Sequence, residues 1–195
     1  MPGDQTLIRL LAERSAKRGQ FTLASGQRSN FYIDARLTTM SPEGLSIIGP
    51  LGLRYLTDAR WDPDAIGGLT LGADPISYAI SYASSATSHP LRAFTVRKQL
   101  KTHGTQKLVE GPLMPGDRVA VIEDVITTGN SALQAAEAIQ QAGGAVAGVL
   151  ALVDREQGGR MALEQAGFAV LTLVTASEIL RYLELTDPGN SPSGQ

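Results

Sequence analysis

Two adjacent carboxylates, Glu123 and Asp124, precede the polar run Thr127, Thr128, Gly129, Asn130 and Ser131, all within VAVIEDVITTGNSALQAAEAIQQAGG, residues 119–144. The apolar run up to Ile122 reads as a strand. The segment opening at Asn130 reads as an amphipathic helix with Leu133, Ala136 and Ile139 on its inner side. Ligands of open α/β sheets bind beyond the carboxyl ends of strands, and free N–H groups at a helix start favour phosphate. Thr127, Thr128, Asn130 and Ser131 can donate to phosphate oxygens, and Gly129 lets the backbone approach closely. Glu123 and Asp124 would repel phosphate, so they are expected at hydroxyl groups or a nearby magnesium ion. These residue types together suit a phosphorylated sugar. A capped strand terminus with two solvated acids is the plain structural alternative. Neither GxxxxGK[ST] nor GxGxxG occurs here, which removes most support for triphosphate hydrolysis and nicotinamide redox chemistry.

A second feature is electrostatic. Residues 92–110 hold Arg92, Arg97, Lys98, Lys101 and Lys107 against Glu110 alone, so the segment is +4 and the remainder −6 within a total of −2. That distribution argues against a broad nucleic-acid surface and for a focused anionic ligand. The chain has no cysteine and two histidines, His89 and His103. Disulfides, a thiolate nucleophile and iron–sulfur clusters are thereby excluded, and a histidine-built metal site is poor. His89, next to Pro90 in a polar run, reads as surface or turn.

These groups need elements to position them, and 195 residues at 43% hydrophobic and 18% charged suffice for one domain with a sizeable core. Five apolar runs, at 66–71, 93–97, 118–122, 146–153 and 169–174, read as strands, mostly separated by helical patterns. The near-continuous hydrophobicity of the runs from 118 and 146 suits central parallel strands covered on both faces. The fold class is therefore α/β with a mostly parallel sheet. Asp4 is placed to cap a first helix, and Ser41-Pro42 to start a second, which Pro50 should kink or interrupt. Helices are expected over 75–86, 130–142 and 176–185, with Gly143-Gly144 stopping the middle one. Residues 20–37 break the βα rhythm and suit a small subdomain over one sheet edge. The tail, 187–195, is expected to be disordered. Neither an export signal nor a membrane span is indicated, and the cytoplasm is the expected compartment.

The stretch VIEDVITTGNSA (121–132) resembles the phosphoribosyl diphosphate signature of type I phosphoribosyltransferases. FTLASGQRSNFYID (21–34), GGLTLGADPIS (67–77), FTVRKQLKTHG (94–104) with KLVEG (107–111), and ALVDRE (151–156) are similar to segments of the orotate phosphoribosyltransferase family, in order, over about residues 5–180. The resemblance implies a type I phosphoribosyltransferase fold: an N-terminal helix and hood segment (1–38), a core (39–175), a C-terminal helix on hood or core (176–186) and the tail. It also implies roles for particular positions. Glu123 and Asp124 would contact ribose hydroxyls, with Val125 and Ile126 in the same stretch, and Thr127 through Ser131 would cradle the 5′-phosphate. Gly72, Ala73 and Asp74 would approach the pyrophosphate. Arg97, Lys98, Lys101 and His103 match a mobile catalytic loop, which in a homodimer (residues 97–109) reaches the neighbouring active site. Orotate would be held at Thr127 and by Arg155, whose guanidinium suits a carboxylate. Ser25, Gly26, Phe31 and Tyr32 would belong to the hood, with the two aromatics bracketing the planar base.

The implied reaction transfers a 5-phosphoribosyl group from 5-phospho-α-D-ribose 1-diphosphate to orotate, with no nucleic acid or membrane partner. Magnesium would ride mainly on substrate oxygens, with Asp74 or Asp124 reached through water. Lys101 would stabilise the leaving diphosphate, Asp124 would serve the reacting ribose, and His103 would assist. The chain departs from many relatives at Ala24 and at Leu71-Gly72, where lysines occur, and at Gln99-Leu100 between the loop lysines. A different base, such as a purine or uracil, is the alternative activity, and a regulatory nucleotide-binding protein of the same fold is the alternative class.

Overall fold

The computed structural model describes residues 5–22, 28–99 and 107–186. Asp4, Ser25, Gly26, Lys101, His103 and the tail fall outside those residues. Helix α1 (Gln5–Leu10) runs into one π turn (Leu11–Ser15) and then into the antiparallel hairpin of β1 (Ala16–Thr22) and β2 (Arg28–Ile33). There follow α2 (Arg36–Thr39), α3 (Pro42–Asp58), β3 (Ala65–Leu69), α4 (Ala73–Ser84) and β4 (Arg92–Val96). The second half comprises β5 (Val109–Glu110), β6 (Arg118–Ile126), α5 (Asn130–Gln141), β7 (Ala145–Asp154), α6 (Gly159–Gln165), β8 (Val170–Thr175) and α7 (Ala176–Thr186).

The main sheet has the order β5-β4-β3-β6-β7-β8, with every pair parallel except β4 and β5. Alternation along β6 feeds two cores. Val119 and Val121 join Phe94, Ile139 and Val149 on the α5 side, whereas Ala120 and Ile122 join Ile48, Ile66, Ile76 and Leu150 under α3 and α4. Burial on both faces explains the unbroken apolar runs. Chain direction across the sheet reverses between β3 and β6, the place where open α/β sheets form a crevice.

Three local readings change. Strand β6 does not stop at Ile122; pairing with β7 continues to Ile126 opposite Asp154, so Glu123 and Asp124 lie inside the strand. Helix α3 starts as expected, with the Gly44 N–H donating to Ser41 Oγ at 3.0 Å, but it passes through Pro50 without interruption. Pro50 is exposed, and so is Ser46, whose carbonyl loses its helical partner to the proline. The helix is also clamped to α4 so closely that a Cβ on Gly49 would stand 2.5 Å from the Ala79 carbonyl oxygen. Helix α6 and the two-residue β5 were not expected at all.

Helix α5 ends at Gly143-Gly144, whose N–H groups bond back to the Gln140 and Ile139 carbonyls at 3.0 Å each. Helix α7 packs on both α1 and β8, and Tyr182 Oη donates to Glu13 Oε1 at 3.4 Å. Among the described residues, no helix is long and apolar enough to cross a membrane.

Candidate active site

A recess of about 600 Å³ opens at the carboxyl ends of β3 and β6, where the order of strand addition switches from one side of the sheet to the other. Residues 32–36 at the end of β2 and just past it, the loop 69–72, Lys98, the end of β6, Thr127, Thr128, Asn130, Ser131 and Arg155 line it. One cavity thus gathers residues from all five sequence blocks, several from each of three and one each, Lys98 and Arg155, from the other two.

Glu123 is 8% exposed, and its Oε2 has no hydrogen-bond partner among the described residues. Burial, and then the adjacent Asp124 carboxylate, push the Glu123 carboxyl well above the usual carboxylate range. Asp124 Oδ1 accepts from the Val125 N–H at 2.8 Å. Its carboxyl group packs against Gly72, where any Cβ would lie 2.4 Å from Asp124 Cγ. Val125 lines the recess, while Ile126 is buried in the core on the α5 side and contributes its carbonyl to the Arg155 N–H at 3.0 Å.

The turn that follows adopts φ +84° at Gly129, a left-handed conformation that side chains resist. Helix α5 then starts with no side-chain cap and no acid in its first turn. Its leading N–H groups and the Thr127, Thr128, Asn130 and Ser131 side chains form an acid-free end of the site, suited to phosphate.

Arg155 follows β7, is 8% exposed and donates from Nη2 to the Phe31 carbonyl at 3.0 Å. Burial lowers its pKa. Beside it, Tyr32 is 36% exposed, lines the recess and packs on Phe21 with ring centroids 5.5 Å apart. Phe31 is only 7% exposed and belongs to the apolar core, because neighbouring strand residues face opposite ways. The two aromatics therefore do not bracket one ligand; Tyr32 alone reaches the recess.

Asp74 is not among the lining residues. Its carboxylate accepts from Thr70 Oγ1 at 2.6 Å and Thr95 Oγ1 at 2.9 Å, tying the loop before α4 to β4. Ala73 is buried at the start of α4, so of this trio Gly72 meets the cavity. The Thr70–Leu71 peptide beside it is cis. Lys98 lines the recess, but Arg97 leans 3.8 Å from Glu110 Oε1 and is not a lining residue. Lys101, His103, Ser25 and Gly26 lie outside the described residues. Sequence reasoning gave no role to Asp34 or Arg36, which line the rim as a bidentate pair at 2.8 and 2.9 Å. Asp34 closed a matched block, the one signal available for it.

Among the described residues, no group of three or more His, Asp or Glu side chains could hold a metal ion. The recess does offer neighbouring carboxylates at Glu123 and Asp124, the donor type that suits magnesium carried on substrate oxygens.

A mostly parallel sheet with a ligand crevice at its reversal point, adjacent acids near the carboxyl end of a central strand and an acid-free phosphate turn define a type I phosphoribosyltransferase. No protein-family model matches the chain. It is 47% identical over 179 residues to the orotate phosphoribosyltransferase of Aquifex aeolicus, covering 90% of this chain and 97% of that protein. It is 46% identical over 176 residues to that of Synechocystis, covering 90% and 87%. Among solved structures, Mycobacterium tuberculosis orotate phosphoribosyltransferase in complex with 5-phospho-alpha-D-ribosyl 1-diphosphate superposes with a TM-score of 0.76 at 38% identity, over 91% of this chain and 99% of that one. The chain belongs to the orotate phosphoribosyltransferase family. Its activity is transfer of the 5-phosphoribosyl group from 5-phospho-α-D-ribose 1-diphosphate to orotate, giving orotidine 5′-monophosphate and diphosphate in pyrimidine biosynthesis.

Proposed function

We propose that the recess divides its work between an acidic floor, a phosphate turn and a cationic wall. Glu123 and Asp124 accept from the ribose hydroxyls, Thr127–Ser131 hold the 5′-phosphate, and Arg155 takes the orotate carboxylate with the ring against Tyr32. The observation that carries this division is the separation of charge inside one cavity: the last part of β6 carries two carboxylates, the helix start beyond it has none, and a buried guanidinium lines the same recess.

Cleavage at C1′ develops oxocarbenium character on the sugar and negative charge on the leaving diphosphate. Adjacent carboxylates favour the first, and cations favour the second. Orotate can enter with N1 already deprotonated, so no dedicated base is needed. Lys101, helped by Lys98, Arg97 and His103, would neutralise the leaving group once the 97–109 loop closes from the neighbouring subunit of a homodimer. Magnesium bound to the substrate would supply further charge neutralisation on the diphosphate and ribose oxygens, and Asp124 would serve it through water.

The test supplies magnesium and the phosphoribosyl donor and offers orotate, uracil, hypoxanthine and adenine separately, following diphosphate release. Release with orotate alone is the expected result. Release with another base and not orotate would overturn the Arg155 and Tyr32 assignments. Lys101→Ala is expected to lose most turnover while retaining substrate binding.

A further inference from the structure

The lining residues carry three cations, Lys98, Arg36 and Arg155, and three carboxylates, Asp34, Glu123 and Asp124. Arg155 is tied to the hairpin beside Tyr32, at the base end of the site. The Thr70–Gly72 loop, whose Gly72 packs on Asp124, lines the recess without a charged side chain. Arg36 is the cation whose surroundings the roles above leave unexplained.

Its guanidinium is fixed by short-range geometry. Nε and Nη2 donate to Asp34 Oδ1 and Oδ2, the Arg36 backbone N–H donates to Oδ1 at 3.2 Å, and the Asp34 N–H is held by the Ser15 carbonyl at 2.9 Å. A guanidinium has five N–H donors in a rigid fork, so this clamp engages two and leaves three directed elsewhere. Arg36 remains half exposed on the rim, and the Asp124 carboxylate attracts it in addition to Asp34.

We propose that Arg36 binds the diphosphate of the phosphoribosyl donor and that Asp34 is its positioning residue. This rests on the phosphoribosyl-transfer reading of the recess. The clamped pair presents directed donors with little net charge, so it orients the diphosphate without trapping it as product. It also supplies a cation to a recess whose Leu71-Gly72 loop brings none.

The experiment measures binding of inorganic diphosphate with magnesium by calorimetry, together with KM for each substrate and the thermal midpoint, in wild type, Arg36→Ala, Arg36→Lys and Asp34→Asn. Arg36→Ala is expected to weaken diphosphate binding and raise KM for the phosphoribosyl donor by about tenfold, the weight of one charge-assisted contact, with KM for orotate within about twofold. Arg36→Lys should recover part of the loss, since it keeps the charge but not the fork. Asp34→Asn should raise the donor KM and leave the orotate KM unchanged. Unaltered diphosphate binding in Arg36→Ala, or equal changes for both substrates, would overturn the proposal; so would a loss in Arg36→Ala that tracks a lowered midpoint and is fully restored by Arg36→Lys. Wild type that makes no orotidine 5′-monophosphate would instead overturn the reading of the recess, and the calorimetric comparison would still decide Arg36.

Discussion

The Arg155 guanidinium donates to the Phe31 carbonyl oxygen at 3.0 Å, joining residues 124 positions apart and tying the end of β7 to the hairpin. The bond holds the cation at the recess wall and sets the hairpin over the cavity at the same time. Arg155→Ala should therefore raise KM for orotate by about tenfold or more while changing KM for the phosphoribosyl donor little. Arg155→Lys should not restore it, because an ammonium cannot donate to Phe31 and grip a carboxylate bidentately together. Steady-state kinetics with each substrate varied in turn checks this, and equal effects on both substrates would reject the carboxylate assignment.

Phe31 and Tyr32 are adjacent but face opposite sides of β2, so their substitutions should separate stability from binding. Phe31→Ala empties a buried position and is expected to cost roughly 3 kcal/mol. Tyr32→Ala removes a half-exposed ring and should leave the melting temperature near wild type while weakening orotate. Thermal melts paired with orotate titration read both effects, and a destabilised Tyr32→Ala would show that its packing on Phe21 is structural.

Glu123 links the site to pH. Its carboxyl is raised above the usual range by burial and then by Asp124. Such a group favours the fold fully at low pH, and the advantage shrinks as pH climbs from the unfolded glutamate pKa through the raised folded one. Glu123→Gln lacks this titration, so the midpoint of wild type should fall relative to the variant as pH rises above about 4.5. Melting curves that stay parallel across that window would contradict the burial cost. The same variant should raise KM for the phosphoribosyl donor, since an amide is a weaker acceptor for ribose hydroxyls.

The strands and the acid-to-phosphate segment were legible in the sequence because parallel strands buried on both faces leave unbroken apolar runs, and because Glu123 through Ser131 are contiguous. What was not legible depends on distant packing. Pro50 reads as a break, yet it and Ser46, the residue whose carbonyl it leaves unpaired, lie on the exposed face while Gly49 locks α3 to α4. Phe31 and Tyr32 look equivalent until the hairpin sets their faces, and its register shifts between Arg18 and Phe21. Arg36 is an ordinary surface arginine by spacing and gains meaning only from the carboxylates around it. Seven-residue α6 buries just Gly159 and Leu163, too little to show a period.

That unforeseen helix supports the phosphate turn. A Cβ on Gly159 would stand 2.5 Å from the Thr127 carbonyl oxygen, and one on Gly129 would stand 2.9 Å from the Gly159 carbonyl oxygen. The turn and the α6 start are thus in backbone contact, and Gly159 needs its missing side chain for space. Gly158 differs, since it has φ +89° with nothing within 4 Å of a Cβ. Gly158→Ala should therefore cost stability, roughly 1–2 kcal/mol for the left-handed backbone, and leave the phosphate turn and catalysis intact. Gly159→Ala should displace Thr127 and lower kcat/KM for the phosphoribosyl donor about tenfold or more, although the residue touches no substrate. Thermal melts and kinetics on both variants separate the two causes. Equal catalytic losses would mean that stability alone, rather than the backbone contact between Thr127 and Gly159, connects α6 to the site.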